Sequence, residues 1–429
     1  MSENFNLLEE KWIPVKRQSG AEEWIRPAQI VEGQKDDPIV RFNAPRPDFN
    51  TGFLQFMVCL LQTCCAPTTP REWRKWFDQA PTVEELDRLF EPDKDAFNLL
   101  GDGPRFMQDL ERKESWEVCS VSALLVDLPG SQGLKNNTDH FAHRVVDLGL
   151  SLPAVALAIF NLQQNSPSGG RGHRTSARGG APLSVIPVFR GDIWLTSWAC
   201  VSEKQLAPST IRNRPFPWLY QCRNSRGGRK LVANECSIWE VLWACPRRIV
   251  LMPSATGVCS IFGNIPFPVV KNVYIEAYGN NYDSSDWKHP HSAYYTKDEI
   301  QLPYNPRSGQ LGFRNWHHLT YGGKSVNPSR AVADALIRLA RMGAEIQTLS
   351  FGFEMSNAKV LSWRYRELPF FCCEKETQNS IRAVSDLLVS WSEVAFKELT
   401  KVLQVSLSVS MIPKEYSDEF WRKLDPEFF

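Results

Sequence analysis

The pattern of apolar and polar positions along the chain predicts a protein that mixes helices with strands. The apolar run at 50–66 is typical of a buried helix that ends before Pro67 and Pro70. A second apolar run, at 152–162, predicts a shorter buried helix. Runs rich in β-branched and aromatic residues, typical of strands, follow at 185–195, 248–252 and 269–278. These patterns favour the α+β class.

The pattern changes toward the end of the chain. Ser329 is placed to cap a helix that ends at Gly343, and a strand-like run at 345–355 follows it. Apolar residues then recur every three or four positions, which predicts a long amphipathic helix packed in a bundle; they lie at 381, 384, 388, 391, 395, 399 and 402. We therefore expect a mixed domain over residues 1–370 and a helical-bundle region over residues 371–429.

Composition places the chain among ordinary globular proteins. Its 429 residues are 43% apolar and 23% charged, which argues against disorder and against a coiled coil. The eleven cysteines include no CxxC pair, as expected for reduced thiols. The first residues are acidic where a signal peptide would be basic, and no apolar run reaches the ~18 residues of a membrane span. We therefore expect a soluble cytoplasmic protein with no membrane partner.

The charges are balanced overall but not locally. Lys and Arg total 49 against 48 Asp and Glu, so binding to a polyanion would depend on local patches. Residues 77–117 carry 12 acidic and five basic residues, and a solvated face is the favoured interpretation there. Residues 204–248 carry nine basic and two acidic residues interleaved with Trp218, Tyr220 and Trp239. That mixture is typical of a nucleic-acid track, with a solvated basic loop as the open alternative; its cations include Arg212, Arg214, Arg223, Arg226, Arg229, Lys230, Arg247 and Arg248.

A segment rich in glycine and arginine is the strongest candidate for binding. It reads Ser-Gly-Gly-Arg-Gly-His-Arg over 168–174 and continues to Arg178 and two further glycines. Glycine lets the backbone approach a phosphate or a groove edge that a Cβ would keep away. The segment is not a P-loop, because it lacks the GxxxxGK[ST] pattern and follows a helix instead of preceding one. A flexible surface loop remains the alternative.

The sequence gives no positive case for catalysis. His289 and His291, near Asp286, could form half of a metal site, but no HExxH motif or cysteine pair accompanies them. No GxSxG motif is present either. We expect neither a bound metal nor a cofactor.

Four segments together resemble a known family. They are NLLEEKWIPV at 6–15, NNTDHFAHR at 136–144, SGGRGHRTSARGGAPLS at 168–184 and FGFEMSNAKVLSW at 351–363. In this order, over essentially the whole chain, they resemble the large subunit (CasA) of Cascade, the type I-E CRISPR RNA-guided surveillance complex. The resemblance implies a non-enzymatic subunit that recognises the protospacer-adjacent motif (PAM) in double-stranded DNA. It also implies that the subunit wedges the duplex open and helps recruit a separate helicase-nuclease, with CRISPR guide RNA and the other Cascade subunits as partners.

The resemblance also assigns roles to residues. The PAM minor groove would be contacted by Gly169, Gly170, Arg171 and Gly172, together with Lys271 or its neighbour Asn272, between which the register is open. The wedge would comprise Met355, Ser356, Asn357 and Lys359. The loop on the guide RNA 5′ handle would comprise Asn136, Asn137, Thr138, His140 and Phe141. A DNA-backbone patch would comprise Arg174, Arg178, Arg212, Arg214, Arg226, Arg229 and Lys230.

The end of the chain departs from the family pattern. The family closes with a four-helix bundle, whereas only one further helix is predicted after Leu403, so we expect an apparently shortened bundle. Two other hypotheses remain open: a stand-alone metal-dependent nuclease built on His289, His291 and Asp286, and a generic RNA-binding scaffold.

Overall fold

The computed structural model describes most of the chain, namely residues 4–128, 148–170, 172–204, 215–254, 257–306, 311–340, 345–356 and 359–428. Within this part the α-helices are α1 (Pro47–Cys64), α2 (Pro70–Asp78), α3 (Val83–Phe90), α4 (Leu152–Asn165), α5 (Ile193–Ala199), α6 (Phe313–Tyr321), α7 (Arg330–Leu339), α8 (Lys375–Leu407) and α9 (Lys414–Phe428). Short 3-10 helices cover Pro27–Val31, Glu91–Phe97, Val121–Leu124, Pro217–Leu219, Ala233–Glu235 and Ile238–Leu242. No helix of the described part is long and apolar enough to cross a lipid bilayer.

The strands form several small antiparallel sheets. They are β1 (Phe5–Asn6), β2 (Ile13–Arg17), β3 (Glu22–Ile25), β4 (Ile39–Phe42), β5 (Asn98–Leu100), β6 (Glu117–Ser120), β7 (Leu150–Ser151), β8 (Ser184–Val188), β9 (Arg248–Ser254), β10 (Val269–Glu276), β11 (Tyr294–Lys297), β12 (Ile300–Pro303), β13 (Val326–Asn327), β14 (Glu345–Ser356) and β15 (Lys359–Phe371). Two sheets matter for the candidate site. In one, β10 pairs with β6, β7 and β9; in the other, β14 lies between β15 and β8. This architecture confirms the α+β class.

Two almost entirely buried helices form the centre of the core. Every residue of α4 is buried, as is most of α1, and the two helices pack against each other. Phe56 of α1 and Phe160 of α4 meet Trp243, with ring centroids 5.8–6.0 Å apart. Polar side chains of these helices are buried as well and donate to backbone carbonyls, as Gln164 does to Leu242 at 2.8 Å. The glycine-rich segment starts at the end of α4, so a rigid core element holds its first residue.

Several predicted elements match the structure and one does not. The apolar runs at 50–66 and 152–162 are α1 and α4, and Ser329 Oγ accepts the Val332 N–H at 3.2 Å as the predicted cap of α7. The predicted helix end at Gly343 lies outside the described residues. The strand predicted over 185–195 is only half correct, because β8 ends at Val188 and Asp192 then caps α5 through the Leu195 N–H. The cap at Asp192 stabilises a helix at a position where the apolar pattern is typical of a strand.

The long C-terminal helix exists, but the face predicted to be buried is exposed. Val384, Trp391 and Val402 are 57–61% exposed in α8. The helix instead packs through a different face, which includes Ser385 and Phe396. Here contacts with α6 and α9 outweigh the apolar stripe in setting the orientation of the helix.

Candidate nucleic-acid interface

The glycine-rich loop connects α4 to β8, and its two ends are hydrogen-bonded to each other. The Ser176 N–H donates to the Ser166 carbonyl at 3.0 Å and closes the neck of the loop. Nearer the tip, the His173 N–H donates to the Gly170 carbonyl at 3.2 Å. The loop is therefore held in a defined shape by its own backbone, which argues against a loose surface connection.

The glycines of this loop have different surroundings. Gly170 has φ +90° and is exposed, and no atom of the described residues lies within 4 Å of where a Cβ would stand. A Cβ on Gly169 would lie 2.5 Å from Arg247 Nη1, and one on Gly172, at φ +83°, would lie 2.9 Å from Ala277 Cβ. Gly169 and Gly172 thus allow close packing, whereas Gly170 presents its backbone to open space, as a groove contact requires. Arg171, predicted beside them, lies outside the described residues.

Two other segments hold the loop in place. The Tyr278 N–H, two residues beyond β10, donates to the Gly172 carbonyl at 2.7 Å. The Tyr278 carbonyl accepts the Ser225 N–H at 3.1 Å, and Arg174 donates to Ser225 Oγ and O at 2.8 and 2.7 Å. The guanidinium groups of Arg174 and Arg226 lie 5.8 and 5.1 Å from the Tyr278 ring centroid. We call this assembly of Gly172, Arg174, Ser225, Arg226 and Tyr278 the loop seat.

Tyr278 and Ser225 were not predicted as site residues. The run Gly279-Asn280-Asn281, which follows Tyr278 at the end of a strand-like run, is a loop signal that could have drawn attention to this position. A Cβ on Gly279 would lie 2.2 Å from the Pro246 carbonyl oxygen, so only glycine fits there. The tight approach fixes the turn that carries Tyr278.

The residues of the predicted DNA-backbone patch differ in exposure and in ion pairing. Arg226, Arg229 and Lys230 are exposed, as the prediction requires. Arg229 pairs with Glu235 at 3.1 Å and Lys230 with Asp283 at 3.1 Å, whereas Arg226 has no carboxylate partner within the described part of the chain. Arg212 and Arg214 lie outside the described residues. Arg226 is thus the cation of this group least neutralised by neighbours.

The prediction for Arg178 is wrong. Its side chain is fully buried and donates to Ser292 Oγ at 3.0 Å and Ser184 Oγ at 2.6 Å, so no DNA phosphate can reach it.

Within the mixture of basic and aromatic residues over 204–248, Trp218 and several of the cations are engaged inside the protein. Trp218 is 2% exposed and its indole N–H donates to the Ala96 carbonyl at 2.7 Å. Arg223 forms an ion pair with Glu240, and Arg248 pairs with Asp109 at 2.6 Å. Arg247 is half-buried, and the desolvation of its guanidinium lowers its pKa to about 10. Four cations of this segment are therefore neutralised by acids: Arg223 and Arg229 by Glu240 and Glu235 of the segment itself, and Lys230 and Arg248 by acids distant in sequence.

His173 adds little positive charge to the loop. Burial and the nearby Arg247 guanidinium lower its pKa below the ordinary value. The imidazole is therefore neutral at pH 7, and the charge near Gly170 comes from arginine side chains.

A β-bulge lies at Lys271. In the pairing of β10 with β9, Val270 lies opposite Pro253 and Asn272 lies opposite Met252, so Lys271 is the extra residue. Lys271 is half-buried and Asn272 is exposed. Six residues, about 20 Å of extended strand, separate Lys271 from Ala277 at the loop seat. Both residues remain predicted DNA contacts.

The predicted wedge lies at the tip of a long hairpin. β14 and β15 pair from Glu345 opposite Phe371 to Ser356 opposite Lys359, while β8 covers only positions 347–351 of β14. Ser356 and Lys359 are exposed and Met355 is half-buried. Asn357, in the two-residue connection between the strands, lies outside the described residues. The hairpin thus extends beyond the sheet that supports it.

Side chains below the tip stiffen the hairpin. Phe353 is 2% exposed and packs edge-on against Trp363, with ring centroids 4.6 Å apart. Arg364 Nε donates to Glu354 at 2.6 Å, and Ser362 Oγ donates to the same carboxylate at 3.2 Å. These cross-strand contacts hold two strands that, within the described residues, pair with no third strand at these positions.

The glycine-rich loop and the hairpin are neighbours in the fold. The loop runs directly into β8, where Ser184 lies opposite Phe351 of β14. A Cβ on Gly352 would lie 2.7 Å from the Pro182 carbonyl oxygen. One short stretch of chain therefore joins the two predicted DNA-contacting elements. The predicted guide-handle residues Asn136, Asn137, Thr138, His140 and Phe141 lie outside the described residues.

The hypothetical metal half-site is not assembled. His289 and His291 are buried, and Asp286 accepts the Ala233 N–H at its Oδ2 instead of joining them. Among the described residues, the one group with ligand atoms close enough for an ion is His317, His318 and Asp386. There Asp386 Oδ1 lies 2.8 and 3.1 Å from the two Nε2 atoms, so it accepts hydrogen bonds that join α6 to α8.

Comparison with known proteins identifies the family. The family model for CRISPR-associated protein Cse1 matches residues 6–429. The fold is similar to that of Thermobifida fusca Cse1, with a TM-score of 0.76 and 16% identity over 99% of this chain and 85% of that chain. It is also similar to Thermus thermophilus CasA (Cse1), with a TM-score of 0.69 and 16% identity over 94% and 83% of the two chains. A chain of a CRISPR RNA-guided surveillance complex matches with a TM-score of 0.70 and 15% identity over 94% and 83%.

Proposed function

Because the chain belongs to the family of CRISPR-associated protein Cse1, we propose that it is the large, non-catalytic subunit of an RNA-guided surveillance complex. In this proposal base pairing with the guide RNA reads the target sequence, while the protein recognises the short PAM. The subunit then opens the duplex beside the PAM and helps recruit a helicase-nuclease. The similarity to a chain of an RNA-guided surveillance complex supports the guide RNA and the other Cascade subunits as partners.

The observation that carries the proposal is the exposed glycine backbone at Gly170, held on the loop seat. The minor groove of B-DNA is only ~6 Å wide, so a backbone without side chains enters it more easily than one with them. The guanidinium groups of Arg174 and Arg226 lie against Tyr278 in the seat that holds the loop, and only Arg226 of the two is fully exposed. Arg226 is thus available to a DNA phosphate while the loop contacts the groove.

The hairpin of β14 and β15 is the element that opens the duplex in this proposal. Met355 at its tip is of the residue types that unstack base steps when inserted into a duplex. The short connection through β8 places the hairpin and the loop on one rigid support. In the same proposal the residues Asn136–Phe141 bind the 5′ handle of the guide RNA, with Phe141 stacking on a base.

The alternatives receive less support. The buried positions of His289 and His291 do not favour a nuclease centre at these residues. A generic RNA-binding scaffold would not require a stiff hairpin that extends beyond its sheet. High affinity of the isolated chain for RNA without a guide sequence would favour this second candidate.

The first experiment tests the groove contact. In the complex assembled with guide RNA, Gly170→Asp should weaken binding to a PAM-containing duplex at least about ten-fold, because a mismatched contact in a specific site costs ~1–3 kcal/mol. Gly170→Asn, which has the same shape without the charge, should weaken it less. Gly20→Asp is the matched control, since Gly20 also has a positive φ (+93°) and open space at its Cβ position. Equal effects at Gly170 and Gly20 would contradict the proposal.

The second experiment separates the two elements. Met355→Ala should leave PAM binding nearly unchanged and slow the opening of the duplex, since opening a step costs a few kcal/mol. On a target with a pre-melted bubble beside the PAM, Met355→Ala should no longer show the slow opening. Gly170→Asp should still bind this target weakly. If the bubble restores both variants equally, or neither, the assignment of recognition to the loop and wedging to the hairpin is wrong.

A further inference from the structure

Arg178 is a charged side chain in the core without a charged partner. It is fully buried, and its Nε and Nη2 donate to the hydroxyls of Ser292 and Ser184, which are neutral. Nη1 has no hydrogen-bond partner among the described residues. Burial lowers the pKa of Arg178 to about 10, so the guanidinium still carries its charge at pH 7.

Two buried histidines lie in the same cluster and add further donors. His289 Nδ1 accepts the His291 backbone N–H at 3.1 Å, so the proton of a neutral His289 imidazole must be on Nε2. That buried Nε2 has no acceptor within the described residues, and neither ring nitrogen of His291 has a partner there. Burial and the Arg178 charge lower the pKa of both histidines, so both rings are neutral at pH 7.

The cluster is rich in donors and poor in acceptors. Arg178 Nη1 offers two hydrogens, His289 offers one and His291 offers one, against a single acceptor nitrogen on His291. A buried donor left unpaired costs ~1–3 kcal/mol, and an unpaired buried charge costs more. A water molecule would add two donors of its own to this excess. An anion accepts from every donor and also balances the guanidinium charge.

We propose that Arg178, His289 and His291 bind a small inorganic anion such as chloride in the core. The site lies where the glycine-rich segment meets the supporting sheet of the hairpin: Ser184 and Ser292 form a β-bridge, and the Val185 N–H donates to the His291 carbonyl at 2.8 Å. The anion would therefore fasten the base of the glycine-rich loop to the sheet that carries the hairpin. This role is structural and does not depend on the proposed recognition of DNA.

A bromide experiment on the unmodified protein tests the site directly. Crystals grown with bromide in place of chloride should show an anomalous peak at hydrogen-bonding distance from Arg178 Nη1. A well-ordered water molecule at that position, without anomalous signal, would overturn the proposal.

Thermal unfolding gives an independent test in solution. At constant ionic strength, replacing gluconate by chloride should raise the unfolding temperature of the unmodified chain in a saturable manner by about 2 °C or more, because a ligand that binds only the folded state stabilises it. His291→Phe keeps the volume of the ring and removes its donors, so it should lose most of this shift. Arg422→Met, at an arginine of α9 that is 73% exposed, is the control and should retain it. A shift of the same size in His291→Phe would overturn the proposal, whatever the stability of the variant.

Discussion

At the residue scale, similar sequence signals lead to opposite environments. Arg174 and Arg178 are four positions apart in one glycine-rich segment, yet Arg174 helps to form the loop seat and Arg178 is fully buried. The sequence predicts the glycine backbone conformation, because the steric cost of a Cβ is local. It does not predict which arginine is buried, because Ser292, which receives the Arg178 hydrogen bond, is 114 positions away.

The exposed arginine of the loop seat gives a prediction about salt dependence. Arg226→Ala should lower the slope of log affinity against log salt by ~0.9 for duplex DNA with or without a PAM, as expected when one phosphate contact is lost. Filter binding or fluorescence anisotropy of the assembled complex over a salt series measures the slope. Arg422→Ala, at an arginine of α9 that is 73% exposed, should leave the slope unchanged. A slope that Arg226→Ala does not alter would remove this residue from the DNA contact.

At the element scale, sequence patterns predict strands but not the way in which they pair, as the hairpin and β10 show. Alternation in FGFEM and KVLSW is a local property, so the strands of the hairpin could be predicted from the sequence. The bulge at Lys271 could not, because it arises from the pairing of β10 with β9 and brings Val270 and Val273 both into the core. The orientation of α8 was likewise set by packing partners and not by its apolar stripe.

The hairpin gives a prediction about stiffness. Phe353→Ala removes the buried ring packed against Trp363, and a Phe→Ala change in a core costs ~3–5 kcal/mol. We expect the hairpin to loosen, so that duplex opening by the assembled complex slows at least several-fold while PAM binding changes little. Stopped-flow fluorescence of a base analogue beside the PAM measures the opening. Leu361→Ala, at a position of the same hairpin that is 61% exposed, is the control. Equal opening rates in both variants would show that stiffness below the tip does not matter.

At the scale of the whole molecule, one carboxylate joins three elements that are distant in sequence. Asp425 of α9 accepts the Phe313 N–H at 2.8 Å and forms an ion pair with Arg366 of β15. The residue before α6 is Gly312, which has no side chain to cap the helix, and a Cβ there would lie 2.4 Å from Asp425 Oδ1. A carboxylate from the C-terminal helix therefore supplies the missing cap of α6 and connects it to the hairpin.

This connection predicts that the C-terminal helices and the hairpin are stabilised together. Asp425→Ala should lower the free energy of unfolding by about 2 kcal/mol, since it removes a helix cap and leaves Arg366 without its partner. Asp425→Asn keeps an acceptor for the Phe313 N–H and loses the charge. Its free energy of unfolding should therefore lie between those of the unmodified protein and Asp425→Ala. Hydrogen exchange should increase at the start of α6 and in β15 near Arg366 as well as in α9. Glu419→Ala, at an exposed acid of α9 whose ion-pair partners among the described residues are Arg422 and Lys423 of the same helix, should change exchange in α9 alone. If Asp425→Ala also affects α9 alone, the carboxylate does not couple the helical region to the hairpin.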